Sequence, residues 1–430
     1  MFTSNLLRPA LRRVLALSKW GCRTIGPKAF CPAIGFAIMA VFSGGSLMGQ
    51  PTPPTVQLAL PDSVTNFVFS TSAQQGYFYT MESSPDLTNW TNLTPLYGGA
   101  ATVSWTNPIP APPSTQFFRA RVDPTNMAVI TNYHGWTNAI CLTNGLVEAL
   151  IVPKAGRIMQ FRFAGATNGP FWENTNMYGK TSTTTNWNTT GAFGGDKSWP
   201  SPQKNWNTGG WPPPYGFDGE PYSYGITNGV VTITSQVDST YQIQVTRTIQ
   251  LLFGQPVMQV NTVFYRVSGL YGNYLGVWTI TQVSDPVGIY VPVPSPSIFA
   301  PNDYFQQGSG LPPNYNNVNG LISFTRDPNN QYHLGFDAGS LAWVGTNWAM
   351  RIDGPRVAGL PASSYPNSGC STSVYTNPNP VPYVELECFG PLVNLTRYQT
   401  VAFTTTYTLY NVTEPTPDAE ARLILGLPAQ

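Results

Sequence analysis

Apolar and polar residues alternate through long stretches of this chain, and each stretch ends at turn-forming residues. In YQIQVTRTIQLL, residues 241–252, Ile243, Val245, Ile249 and Leu251 fall on one parity. Gln242, Gln244, Thr246, Thr248 and Gln250 fall on the other. A period of two with one wet face predicts antiparallel strands, and VMQVNTVFYRV at 257–267 repeats the pattern. Asn144-Gly145, Asn228-Gly229 and Asn319-Gly320 stand before LVEALIV, VVTITSQV and LISFT. Asn-Gly readily adopts the positive φ angles of tight hairpins. Upstream, NFVFS, YFYTMES, ATVSW and QFFRARV are short aromatic-rich runs at the spacing of a small β-sandwich. A helix is predicted only at Asp418–Leu425, with Asp418 as its N-cap. The predicted class is all-β: a small β-sandwich over 61–123, then a large antiparallel sandwich over 126–430.

Two stretches break the alternation. Residues 173–222 are rich in Asn, Thr, Gly, Trp and Pro, and residues 285–317 in Pro and Asn. Loops of this length are usually functional or disordered. The first carries Trp187, Trp199, Trp206 and Trp211, and is expected to form an ordered cover packed over the sandwich. Composition sharpens this picture. Only 10% of the 430 residues are charged and 13% are aromatic. Polarity comes from amides and hydroxyls, which suits neutral polyhydroxy ligands better than phosphates.

The first 28 residues hold six basic side chains and no acid, and the apolar run Ala33–Phe42 and the small residues 43–46 follow. That order predicts a secretory signal over 1–49 and an exported protein, joined by a Pro-rich linker at 50–60. Beyond the basic segment, 15 basic residues face 20 acidic ones, so a nucleic-acid partner is not expected. No later stretch reaches the ~20 apolar residues of a membrane-spanning helix. Cys141, Cys370 and Cys388 remain after the signal, and export permits a Cys370–Cys388 disulfide.

YFYTMESSPDLTNW with the later FFRARV resembles a small module of exported proteins from Verrucomicrobia-like bacteria, through Tyr79, Glu82, Ser83, Ser84, Asp86, Leu87, Trp90, Phe118, Arg119 and Arg121. The resemblance implies an accessory sandwich and not a catalyst. Trp90 and Trp105 are candidates for stacking on sugar, with packing in the core the favoured reading. LTNGLVEALIVPKAGRIMQF, GGDKSWPSPQKNW, LGVWTITQV and VELECFGPLVNL resemble an uncharacterised-domain family of the galactose mutarotase-like superfamily, over roughly 130–412. This implies a supersandwich of large antiparallel sheets and a carbohydrate ligand.

Mutarotation needs a base for the anomeric hydroxyl and an acid for the ring oxygen. Related epimerases take the base from a late glutamate and the acid from a mid-domain histidine. Glu385 and Glu387 fill the first role. They are two apart, so a strand puts both on one face, where each raises the other's pKa. Glu387 is favoured because it directly precedes the Cys-Phe-Gly-Pro turn. At the acid position stands Gln282, which can bond a sugar but supplies no proton. His134 and His333 are read as structural or surface residues, leaving Lys197 and Arg157 as alternative acids. Arg157 is also a candidate grip on hydroxyls or a carboxylate. Within GGDKSWPSPQKNW, Trp199 and Trp206 are candidates for stacking on sugar, and Asp196, Lys197 and Gln203 for bonding hydroxyls. No cofactor or metal motif occurs. The leading expectation is an exported carbohydrate-binding protein. An epimerase, lyase or hydrolase using the late glutamates is the second expectation, and a structural surface protein the third.

Overall fold

The computed structural model describes residues 56–59, 66–72, 78–97, 102–108, 116–123, 127–182, 193–206, 209–227, 229–252, 254–269 and 272–429. The expected signal at 1–49, and Trp187 and Asn228, lie outside these residues. The chain divides into two compact units, Met1–Pro124 and Thr125–Gln430.

In the first unit, Val56–Ala59, Asn66–Ser72 and Thr102–Pro108 form one three-stranded sheet, and Thr91–Tyr97, Phe78–Ser84 and Phe117–Asp123 form another. Val56–Ala59, expected as linker, is thus a strand paired with Val68–Thr71. Phe69, Met81, Phe118 and Ala120 are buried, and Trp105 packs against them. The buried Glu82 binds both Arg119 and Arg121. The Arg119 guanidinium also lies 4.0 Å from the Trp90 ring centroid, and Asp86 accepts the backbone N–H groups of Thr88 and Asn89. The charged residues of this motif are therefore spent on one another and, for Asp86, on the local backbone, which is a structural use.

The second unit is an antiparallel supersandwich of two sheets, with eleven and ten strands among the described residues. In the ten-stranded sheet, Ile243–Leu251 alternates buried and half-buried side chains without a break. Its Ile and Val residues point into a core shared with the eleven-stranded sheet. Fully burying each such side chain contributes about 1.5–3 kcal/mol, enough to fix the register. Asn319 and Gly320 have φ of 50° and 74° and close the hairpin from Asn316–Val318 to Leu321–Phe324. Asn144 accepts the N–H groups of Leu146 and Val147 and donates to the carbonyls of Leu252 and Gln255. The helix Pro417–Leu425 buries Ala421, Ile424 and Leu425 against Tyr290, Ala342, Val344 and Ala349 of the ten-stranded sheet. Its N-cap is Thr416, whose hydroxyl accepts from Ala419 N–H, and not Asp418, which lies in the first turn.

Two further expectations change. Asp196–Ser201 is no cover loop but an internal strand of the eleven-stranded sheet. It lacks β-branched residues and holds Pro200, so it does not read as a strand. The proline is tolerated because six residues pair with Gly276–Thr281 on one side, while the other side meets Arg157–Phe163 only at Asp196. Cys370 and Cys388 are free thiols. No helix among the described residues is long and apolar enough to cross a membrane.

Candidate functional site

Five neighbouring strands of the eleven-stranded sheet build the site. In chain order they are β1 (Asp196–Ser201), β2 (Asn273–Val283), β3 (Tyr332–Phe336), β4 (Thr372–Thr376) and β5 (Val384–Phe389), arranged β3-β4-β5-β2-β1. Alternation along β5 sends Val384, Leu386 and Cys388 to the core and Glu385, Glu387 and Phe389 to the other face. Register then aligns side chains in rows. One row runs His333, Tyr375, Glu385, Gln282, and the next runs Ser373, Glu387, Ile280, Lys197. A third sets Phe389 beside Trp278 and Trp199. These rows floor a cavity of ≈ 530 Å³, whose lining includes Lys197, Gln282, His333, Tyr375, Glu385 and Glu387. Trp199, Gln203, Trp211 and Asp218 wall it on one side and Tyr383 contributes as well.

The two carboxylates have different partners. Glu385 accepts from Gln282 Nε2 at 3.0 Å and lies 3.5 Å from Lys197 Nζ. Glu387 is nearly inaccessible; it accepts from the Ser373 hydroxyl and lies 3.3 Å from His333 Nε2. Burial raises the Glu385 pKa above its ordinary 4.5; Lys197 opposes the rise and Glu387 adds to it. Burial lowers the Lys197 pKa below 10.5 against the pull of Glu385 and Asp218. Burial also works against a charged His333, but the Glu387 carboxylate, its hydrogen bond and Glu385 outweigh it. The His333 pKa therefore stands above 6.5. Burial, with Glu385 and Glu387, pushes the Tyr375 phenol up to about 12. The cavity thus holds a carboxyl and an imidazole whose pKa values are both raised, the kind of perturbation found among proton-transfer groups.

The aromatic wall is braced ring against ring. Trp199 meets Trp206, Trp278 and Trp211 edge-on, with centroids 5.4, 5.3 and 6.2 Å away. Its indole N–H donates to Asp218 at 3.1 Å, and Lys197 Nζ sits 3.9 Å over its ring. Trp211 is 60% exposed, yet it is braced on Trp199 and presents an apolar face at the cavity.

Of the residues expected from sequence, Glu385, Glu387, Lys197, Trp199, Gln203 and Gln282 line this one cavity. Three do not. Asp196 faces the core between the sheets, bound by Arg247, by Thr281 at 2.8 Å and by Tyr407 at 2.6 Å. It is one residue from Lys197 and so on the opposite face. Arg157 is buried on Gly194 O at 3.0 Å and Asp218 at 2.5 Å, and reaches the cavity through Asp218 and through its charge, which adds to burial in lowering the Lys197 pKa. Trp206 is buried with its N–H on Pro200 O at 2.8 Å, supporting Trp199 from behind. His333, expected to be structural or surface, lies in the cavity against Glu387. Tyr375, Tyr383, Trp278, Gln331 and Asp218 also line it without having been expected to. One signal pointed to His333: the strand YHLGF puts it on the parity opposite the buried Leu334 and Phe336. His134 stands elsewhere, stacked on Tyr178 at 4.1 Å and 3.6 Å from Glu173.

No protein-family model matches the chain, and no curated protein matches it in sequence. Among solved structures, YeaD from Salmonella typhimurium, a candidate mutarotase, aligns with 10% identity and a TM-score of 0.42, over 67% of this chain and 97% of its own. HI1317 aligns with 9% identity and a TM-score of 0.40, over 66% and 99%. The 4-alpha-glucanotransferase of Thermococcus litoralis aligns with 10% identity and a TM-score of 0.31, over 66% of this chain and 40% of its own.

Proposed function

We propose that this is an exported carbohydrate-binding protein of the galactose mutarotase-like class, whose cleft also performs general acid–base chemistry on the bound sugar. The reading is carried by one observation: Glu385, Glu387, His333 and Lys197 share a single cavity with an aromatic wall. Indole faces take the apolar face of a pyranose, and carboxylate and amide groups take its hydroxyls. The reaction assigned is interconversion of anomers. Glu385, as carboxylate, takes the proton from the anomeric hydroxyl, while protonated His333 gives one to the ring oxygen. The bond between the anomeric carbon and the ring oxygen then breaks to leave the open aldehyde. Rotation and the reverse transfers close the other anomer and restore both groups. His333 and Glu385 belong to strands two apart in the sheet, with Tyr375 between them. Strand spacing therefore separates their backbones by about 10 Å, room for a ring to bridge them. Glu387 positions His333 and keeps it charged.

The test is titration of tryptophan fluorescence with a panel of aldoses and short oligosaccharides, alongside NMR exchange between anomers of any aldose that binds. Trp211→Ala should weaken binding about tenfold, or ~1.4 kcal/mol, with little change in melting temperature. Glu385→Gln should abolish accelerated exchange. Activity should rise with pH through a value above 4.5 and fall again through one above 6.5, following the raised Glu385 and His333. A folded protein that binds nothing in the panel would end the reading.

A further inference from the structure

A second cavity of ≈ 170 Å³ adjoins the first and shares Gln203, Trp278 and His333 with it. Its remaining lining includes Ser201, Gln307, Asn367 and Phe389. That volume is about five or six times the ~30 Å³ share of a liquid water, enough for a substituent or ring and not just for solvent.

Two residues lining this chamber each carry a buried donor with no hydrogen-bond partner among the described residues, Trp278 at Nε1 and Gln307 at Nε2. Trp278 is only 4% exposed. A buried donor left unpaired costs about 1–3 kcal/mol, and native structures rarely keep two such donors at one cavity without a use. The surroundings hold the Gln307 amide in place. Its Oε1 accepts from Asn367 Nδ2 at 2.7 Å, and its backbone N–H donates to His333 O at 3.0 Å. Nε2 is therefore the end of the amide left for a ligand. Among the described residues, the chamber's lining contains no Lys, Arg, Asp or Glu, and His333 is the only ionisable member. A phosphate would find no guanidinium or ammonium there. Hydroxyl, ring or glycosidic oxygens match two neutral N–H donors.

We propose that the cleft takes a neutral oligosaccharide of at least two units. One unit lies over Glu385 and His333 in the main chamber. The next lies in the side chamber, with its oxygens accepting from Trp278 Nε1 and Gln307 Nε2. This rests on the sugar-binding reading and specifies its ligand: a chain end, not a free monosaccharide or a sugar phosphate.

The test is calorimetric titration of the folded protein with glucose, galactose, glucose 6-phosphate, maltose, cellobiose and lactose. At least one disaccharide should bind tenfold or more tightly than either monosaccharide, and glucose 6-phosphate no more tightly than glucose. Gln307→Leu should bring the disaccharide-to-monosaccharide affinity ratio down to about one. Its residual monosaccharide binding would show that the main chamber is still folded. Monosaccharide binding with no gain from the second unit overturns the two-unit cleft and leaves the sugar-binding reading standing. So does a Gln307→Leu ratio equal to that of the parent, or tightest binding by glucose 6-phosphate. Absence of binding by all six sugars overturns both.

Discussion

At the scale of the residue, the site is two ion pairs with unequal character. Lys197 and Glu385 lie deep enough that burial draws both toward neutrality, whereas Glu387 raises the His333 pKa despite burial. The second effect has a definite sign. A histidine whose folded pKa exceeds the unfolded value of about 6.5 adds stability below that pH. The contribution disappears as pH rises through the folded value. The chain has only two histidines, so NMR titration can follow each one once His134→Gln has assigned them. His333 is expected to titrate above 6.5, and Glu387→Gln to lower its midpoint. A His333 midpoint at or below 6.5 in the parent protein would remove the proposed acid. Sequence showed the two glutamates through their strand spacing. It did not show their partners, because His333 and Lys197 lie far away along the chain, Ser373 lies on the preceding strand, and all three reach Glu385 and Glu387 only through β-register.

At the scale of the element, β1 decides where Lys197 and Trp199 stand. Gly194 and Gly195 lead into it with φ of 96° and 70°. A Cβ on Gly195 would lie 2.4 Å from Ile158 O, and one on Gly194 2.3 Å from Trp172 O. Gly195→Ala therefore combines left-handed strain of about 1–3 kcal/mol with a backbone clash that shifts β1 along the sheet. Urea unfolding should show a loss of that size or larger, and sugar affinity should fall because Lys197 and Trp199 move together. An alanine variant with parental stability and affinity would mean that β1 is placed by something else. The glycine pair was visible in the sequence as a point of close backbone approach. That it opens a strand was not, since Asp-Lys-Ser-Trp-Pro-Ser has neither the residue types nor the alternation of one. Cross-strand pairing with β2 overrides the weak local preference.

At the scale of the molecule, the two sheets are joined through a buried polar brace directly beneath the site. Asp196 of β1 is bound by Arg247 and Tyr407 of the opposing sheet and by Thr281 of β2. Arg247 also donates to the Asp196 carbonyl at 3.1 Å. Both charges are inaccessible to solvent, so removing one strands the other. Arg247→Met should cost about 3–5 kcal/mol, read as a lower urea midpoint for the whole second unit. A loss under 1 kcal/mol would show that the brace does not hold the sheets. The sequence carried a trace of it, because Arg247 falls on the apolar parity of Ile243, Val245, Ile249 and Leu251, where a charge must find a partner. Which partner it finds depends on how two sheets stack.

The sequence by itself determined the strand periods, the Asn-Gly hairpins and the shared face of Glu385 and Glu387, since each follows from neighbours a few residues apart. Tertiary structure alone decided that His333 stands in the cavity beside Glu387 and that Asp196, Arg157 and Trp206 support the site from outside it. It also placed two unpaired donors around a second chamber. The physical reason is the same throughout. Strand alternation is a local steric property, whereas cross-strand register and sheet stacking bring together residues as far apart as 54 positions for His333 and Glu387 and 211 for Asp196 and Tyr407, and no short-range pattern encodes which ones meet.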